Sequence, residues 1–326
     1  MAPFVTLNPI QTCVSGDMLA VDAVIRQSLH SEVALINTIG EHIIGGGGKR
    51  LRPALVLLSS GLFSGIEAHH HALAAIVEFI HTATLLHDDV VDESALRRGK
   101  STANHIFGNA ASVLVGDFLY SRAFQMMVKL QNLRVMEVLS EATNIISEGE
   151  VLQLLNVHNA DVTEQEYLKV IHFKTAKLFE AAARLGAVIN NASSFDENAL
   201  AAYGMHLGTA FQLVDDVLDL SGDVSQIGKN LGDDLSEGKP TLPLLYAMHN
   251  SAPNEAAIIR KAIHLGGLSE LQAVLAAVKA TKACEYVLAL AQAECQAGCA
   301  AIAHLPKSNY KQALIDLAEF AVKRDF

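Results

Sequence analysis

The sequence predicts an all-α, single-domain helical bundle spanning residues 1–326 and folded around a central apolar cavity. Three observations carry that prediction. Almost every segment longer than a dozen residues shows helical rather than alternating apolar spacing. Ala, Leu, Met and Glu, all strong helix formers, dominate those segments. Hydrophobic residues make up 51% of the 326 and charged residues 18%, which excludes a disordered chain and permits a sizeable core.

The elements follow in order. The glycines at 45–48 form a flexible run that feeds a basic helix start, and Pro53 sits near that start. Nothing in the sequence marks a partner for His69, His70 and His71, so they predict a solvated turn. The runs ALAAIVEFIHTATLLHDDVVDE, LRVMEVLSEATNIISEGEVLQLLNVH and AAYGMHLGTAFQLVDDVLDL are apolar on most faces, as helices inside a large bundle are. Pro240, Pro243 and Pro253 fall near boundaries. No linker, solenoid repeat or glycine fingerprint after a strand interrupts the pattern. The count reaches ten or more helices.

Composition narrows the function. With 24 Lys+Arg against 35 Asp+Glu the net charge is −11, which argues against a nucleic-acid surface. The most apolar stretch, Ala72 to Leu86, holds Glu78 and His81 and is too short to cross a bilayer. The start, MAPFVTLNPI, shows no basic region followed by an apolar run, so no secretory signal is expected. Cys13, Cys284, Cys295 and Cys299 make no disulfide framework or zinc pattern and read as reduced thiols. A cytoplasmic protein is expected.

Two acidic clusters point to chemistry. In His87-Asp88-Asp89-Val90-Val91-Asp92-Glu93, a helix puts Asp88 and Asp92 on one face, about 6 Å apart along the axis. Two carboxylates so placed repel each other unless a cation lies between them. Mg²⁺ takes carboxylate, phosphate and water oxygens, so the pair can bridge ions to a diphosphate. A single such pair is equally well a solvated acidic helix end. Asp215, Asp216 and Asp219 repeat the spacing after a second apolar run, and two copies favour facing helices sharing one cavity.

Cations complete the set. The glycine run leads into Lys49-Arg50-Leu51-Arg52-Pro53, and backbone N–H groups at a basic helix start make an anion site. Arg97-Arg98-Gly99 follows the first cluster closely enough for a guanidinium to reach the same anion. Lys174-Thr175, Gly228-Lys229 and Gly238-Lys239 supply more, and Asp233 and Asp234 accompany the last two lysines. His81 lies seven residues before Asp88, two helical turns away on the same face. A lone histidine on an apolar helix is more often a core residue.

Across essentially the whole chain, GGGGKRLRP, HDDVVDESALRRG, FKTAKLFEAA, FQLVDDVLD and GKNLGDDLSEGKPTLPLL resemble the trans-type isoprenyl diphosphate synthases. The resemblance is nearest to bacterial octaprenyl diphosphate synthases, which make the side chain of ubiquinone or menaquinone, with heptaprenyl or solanesyl lengths as alternatives. It implies the isoprenoid-synthase bundle, Mg²⁺ as cofactor, a homodimer, and at most transient membrane contact for product release. It implies the reaction too: an allylic diphosphate such as farnesyl diphosphate ionises, isopentenyl diphosphate attacks, and the proton leaves with the diphosphate rather than to a dedicated side-chain base.

By the same resemblance Asp88, Asp92 and Asp215 are metal ligands, with Asp89, Asp216 and Asp219 beside them. Lys49, Arg52, His81 and Arg98 match positions that bind isopentenyl diphosphate. Arg97, Lys174, Thr175 and Gln212 match those that hold the allylic diphosphate, while Lys229 and Lys239 close over the leaving group. The aromatic pattern of short-chain members is absent: one turn before Asp88 stand Ala83 and Thr84, both small, so a long product is expected. Leu139, three turns before Glu150, is the candidate floor of the product tunnel, or equally an ordinary core leucine. A terpene cyclase would not need the second diphosphate site, and a noncatalytic prenyltransferase subunit would lose its metal ligands.

Overall fold

The computed structural model describes residues 12–45, 48–97, 99–221 and 231–324. Its helices are α1 Ser15–Leu29, α2 Ala34–Gly45, α3 Leu51–Ser60, α4 Ala68–Val91, α5 Ala103–Phe107, α6 Asn109–Lys129, α7 Leu133–Asn156, α8 Glu164–Ile171, α9 Lys177–Ile189 and α10 Ser194–Ser221. Then follow α11 Asp233–Ser236, α12 Leu242–Asn250, α13 Pro253–Leu265, α14 Leu271–Ala280, α15 Ala283–Ala301 and α16 Asn309–Lys323. A π turn, His172–Ala176, joins α8 to α9. The strands among the described residues are β1 Leu96–Arg97 and β2 Lys100–Ser101, paired antiparallel with Arg97 opposite Lys100.

Burial explains the helices. Leu55, Leu57 and Leu58 of α3 and Leu73, Ile76, Val77 and Ile80 of α4 have no exposed surface. Each such side chain contributes about 1.5–3 kcal/mol by leaving water. A second core forms around α12–α15, with Leu244, Ile259, Ile263 and Val274 at its centre. Helix α10 serves both: Tyr203 and Leu207 pack in the first core, Leu213 and Val217 in the second. The second acidic cluster thus stands on a helix fixed along most of its length.

The three histidines correct the expectation of a solvated turn. They open α4, where His70 is buried and completes a capping box with Glu67. His71 meets Asp17 of α1 at 2.8 Å, and His69 stands 3.7 Å from Glu67. Glu67, three residues before His70, was a local signal of this cap, whereas the Asp17 carboxylate comes from a helix remote in sequence. No helix among the described residues is long and apolar enough to cross a membrane. All four cysteines are free thiols.

Candidate active site

Helix α4 ends at the first acidic cluster. The Asp92 N–H donates to the Asp88 carbonyl at 2.8 Å, keeping the two residues one turn apart on one face. They stand at a helix C-terminus, where the peptide dipoles already carry negative charge, so cations are needed there. Two lysines supply them. Lys174 Nζ lies 3.5 Å from Asp88 and 2.6 Å from Glu150. Lys239 Nζ lies 2.9 Å from Asp92 and 2.6 Å from Glu237. Burial works against the Lys239 charge, but Asp234, Asp92 and Glu237 outweigh it and push its pKa up. Burial also pushes the Glu150 carboxyl up to about 7, with Lys174 opposing and Asp88 reinforcing the rise.

Asp89 faces elsewhere, because one residue along a helix is a rotation of about 100°. It is buried and takes two bonds from Arg97, Nε at 2.7 Å and an Nη at 2.6 Å. Burial raises its pKa while Arg97 pulls the other way. The hairpin of β1 and β2 thereby locks onto the end of α4, and the Asn104 side-chain amide adds a bond to the Asp89 carbonyl at 2.9 Å.

The second cluster has a different set of partners. Asp215 accepts from Arg324 at 2.6 Å, and that guanidinium also lies 3.8 Å over the Phe211 ring. Asp216 is buried and accepts from the Tyr167 hydroxyl at 2.5 Å and from Gln212 Nε2 at 2.8 Å. Burial, then the nearby Asp234, pushes its pKa up to about 8. The Asp219 carbonyl takes the Gly232 N–H at 2.8 Å. Thr175 donates to Gln212 at 3.0 Å, which ties the π turn to this helix.

The π turn joins the two clusters. Its Lys174 reaches Asp88 while its neighbour Thr175 reaches Gln212 and, through it, Asp216. Wide turns of this kind recur at functional sites because they rotate successive side chains away from α-helical positions. Two glycines of α10 allow the approach: a Cβ on Gly208 would lie 2.6 Å from Ala176 Cα, and one on Gly204 2.4 Å from the Phe179 carbonyl oxygen. The α11 segment forms a second link, since Asp234 acts electrostatically on Asp216 and on Lys239.

On the flank, Arg52 meets His81 at 3.2 Å and lies 4.3 Å over the Phe179 ring. Lys49 lies 5.4 Å over Phe320. Phe179 and Phe211 are 5.6 Å apart, so this basic group and the Arg324–Asp215 pair share one aromatic wall. Arg98 and Lys229 lie outside the described residues. Glu150, Glu237, Tyr167 and Arg324 were not singled out in the sequence. Only Glu237, two residues before Lys239, had a local signal.

Ala83 and Leu139 have no exposed surface and are enclosed in the first core, while Thr84 is half-buried and donates to the His81 carbonyl at 2.7 Å. A cavity of about 70 Å³ opens on the Asp89 side of α4, between His42, Leu85, Arg97 and Lys100.

Among the described residues, no three His, Cys, Asp or Glu side chains converge into a metal cage. Carboxylates one turn apart, each countered by a lysine, suit a hydrated divalent ion that takes one or two protein oxygens and completes its shell from phosphate and water.

The family model described as Polyprenyl synthetase matches residues 33–281. Octaprenyl diphosphate synthase of Escherichia coli (strain K12) is 53% identical over 321 residues, covering 98% of this chain and 99% of that protein. All-trans-nonaprenyl-diphosphate synthase (geranyl-diphosphate specific) of Rhodobacter capsulatus is 44% identical over 312 residues, 95% of this chain and 96% of that one. The crystal structure of polyprenyl synthase from Caulobacter crescentus CB15, complexed with calcium and isoprenyl diphosphate, matches with a TM-score of 0.95 at 43% identity, covering 98% of each chain.

Proposed function

We infer the function of this chain from one premise: it belongs to the polyprenyl synthetase family. It is a prenyltransferase that makes long trans-polyprenyl diphosphates, with a product close to the octaprenyl length. The observation that carries the site reading is the pair of lysine bridges at the first acidic cluster, Lys174 to Asp88 and Lys239 to Asp92.

In our reading Asp88, Asp92 and Asp215 hold Mg²⁺, which when bound offsets the charge of the departing diphosphate. Lys174, Thr175 and Gln212 hold the allylic diphosphate, together with Arg97, kept in place by Asp89. Asp216 and Asp219 support Asp215 from the same helix. Lys49, Arg52 and His81, with Arg98, hold isopentenyl diphosphate beside the Phe179–Phe211 wall. Lys239, with Lys229, closes over the leaving group. The allylic C–O bond breaks with its electron pair going to the diphosphate. The alkene of isopentenyl diphosphate then attacks the cation, and the proton leaves to the departing diphosphate. Fixed ammonium and guanidinium groups stabilise that anion as it develops, without reorganising. The buried Phe179 ring and the apolar helices around it exclude water that would quench the cation.

We put the product at eight isoprene units, destined for a quinone side chain, and residues 1–326 as one domain; the run of α10 through both cores supports the latter. Ala83 and Thr84 admit the growing chain, and Leu139 stops it. A cytoplasmic homodimer completes the reading. Leu114, Phe124 and Val128 of α6 with Val151, Leu154 and Leu155 of α7 are exposed apolar side chains that a second copy would cover. The test is incubation with labelled isopentenyl diphosphate, farnesyl diphosphate and Mg²⁺, with product length read by chromatography. Products near forty carbons are expected. Absence of incorporation, or arrest at twenty carbons, overturns the assignment.

A further inference from the structure

Glu150 belongs to neither acidic cluster, yet it makes the shorter contact to Lys174: 2.6 Å, against 3.5 Å from the same ammonium to Asp88. The contact is built in by the backbone. Helix α7 runs so close to the π turn that a Cβ on Gly149 would lie 2.6 Å from the Lys174 backbone nitrogen, so the two elements cannot exchange partners freely. The Lys174 and Asp88 side chains are 18% and 14% exposed, so solvent screens their attraction weakly. The arrangement recurs at the other lysine, 2.6 Å from Glu237 and 2.9 Å from Asp92. In both places the off-cluster glutamate holds the ammonium more closely than the aspartate does.

An ammonium and a divalent ion compete for one carboxylate. Left with Asp88 as its near counter-charge, Lys174 would settle on it and remove a site of negative charge from the cation. We propose that Glu150 is a positioning residue that holds Lys174 off Asp88, leaving the Asp88 carboxylate available to the divalent metal. This rests on the reading of Asp88 as a metal ligand. The other charged and titratable neighbours are Asp92 of α4, Tyr120 of α6 and Lys239, all of which act electrostatically on Lys174, Glu150 or Asp88. None of them takes the place of Glu150 at hydrogen-bond distance from Lys174.

The test is Mn²⁺ binding to the full chain at pH 8 without substrate, followed by the electron paramagnetic resonance signal of free Mn²⁺. Glu150→Gln should weaken binding about tenfold, because the released Lys174 ammonium then settles on Asp88 and offsets the charge the ion needs. Adding Lys174→Gln to that variant should restore affinity to within about twofold of the parent, since the competing ammonium is gone as well. Parent-like binding by Glu150→Gln overturns the proposal. So does a double variant as weak as the single one, which would make Glu150 a ligand or a purely structural residue. Urea midpoints are read beside the affinities, because removing both partners of an ion pair can restore stability as well; Mn²⁺ affinity that only follows the midpoint across the two variants overturns the proposal. Asp88→Asn is measured alongside: unchanged Mn²⁺ binding there overturns the ligand reading itself, separately from the role of Glu150.

Discussion

The Gly208 contact converts packing directly into site geometry, so Gly208→Ala tests the link between them. The added Cβ would lie 2.6 Å from Ala176 Cα and 3.0 Å from both Ala176 Cβ and Phe179 Cδ2. Ordinary contact begins at 3.4 Å, so α10 and the π turn must separate by about 0.8 Å, and the Ala176 backbone has no rotamer with which to yield. The Thr175–Gln212 bond, now 3.0 Å, would stretch by that amount past 3.5 Å and fail. Overpacking of this kind costs about 1–3 kcal/mol, and the lost hydrogen bond adds about 1. A stability loss of about 2–4 kcal/mol in urea unfolding is expected. Because Lys174 and Thr175 share the displaced turn, the elongation rate should fall by roughly 10²-fold, the scale of a 1 Å misplacement. Gly16→Ala is the control, since nothing lies within 4 Å of its added Cβ inside α1, and it should leave the rate unchanged and gain up to about 1 kcal/mol. A Gly208→Ala enzyme with parental stability and rate would refute the claim that this approach positions the turn.

Asp88→Asn and Asp92→Asn should each lower the elongation rate by at least ~10²–10³, with urea midpoints showing that the fold survives. Leu139→Ala should lengthen the products seen by chromatography at a stability cost of about 2–5 kcal/mol; an unchanged distribution in a folded variant returns Leu139 to the ordinary core. The metal-free enzyme should lose stability as pH rises. Asp216 holds its proton up to about pH 8 when folded, whereas the unfolded carboxyl releases it near pH 4, so the contribution is complete below about pH 4 and lost as pH climbs through 8. Asp216→Asn should flatten that slope between pH 5 and 9 in urea titrations, and a slope equal to that of the parent enzyme would count against the buried, proton-retaining carboxyl.

The legible part of this site was whatever a helix repeat could encode. Asp88 and Asp92 share a face because four residues make about one turn, and His81 joins that face by the same rule. Arg52 and His81 do meet, although their spacing in the chain says nothing about it. Periodicity reports an angle about an axis and never the partner across it. Asp89 shows the limit: its type and place in the cluster suggested a companion to Asp88, but the rotation of one residue sends it into the protein, where Arg97 of the hairpin meets it. Glu150, Tyr167 and Arg324 come from three different elements, and each is an ordinary residue of its own helix or terminus until the bundle closes. The π turn had no signature in HFKTA either. It exists where α7 and α10 press on the chain from two sides through Gly149 and Gly208, so its cause is tertiary. Those glycines were visible as letters, and what they permit could be read only once the helices they admit were in place.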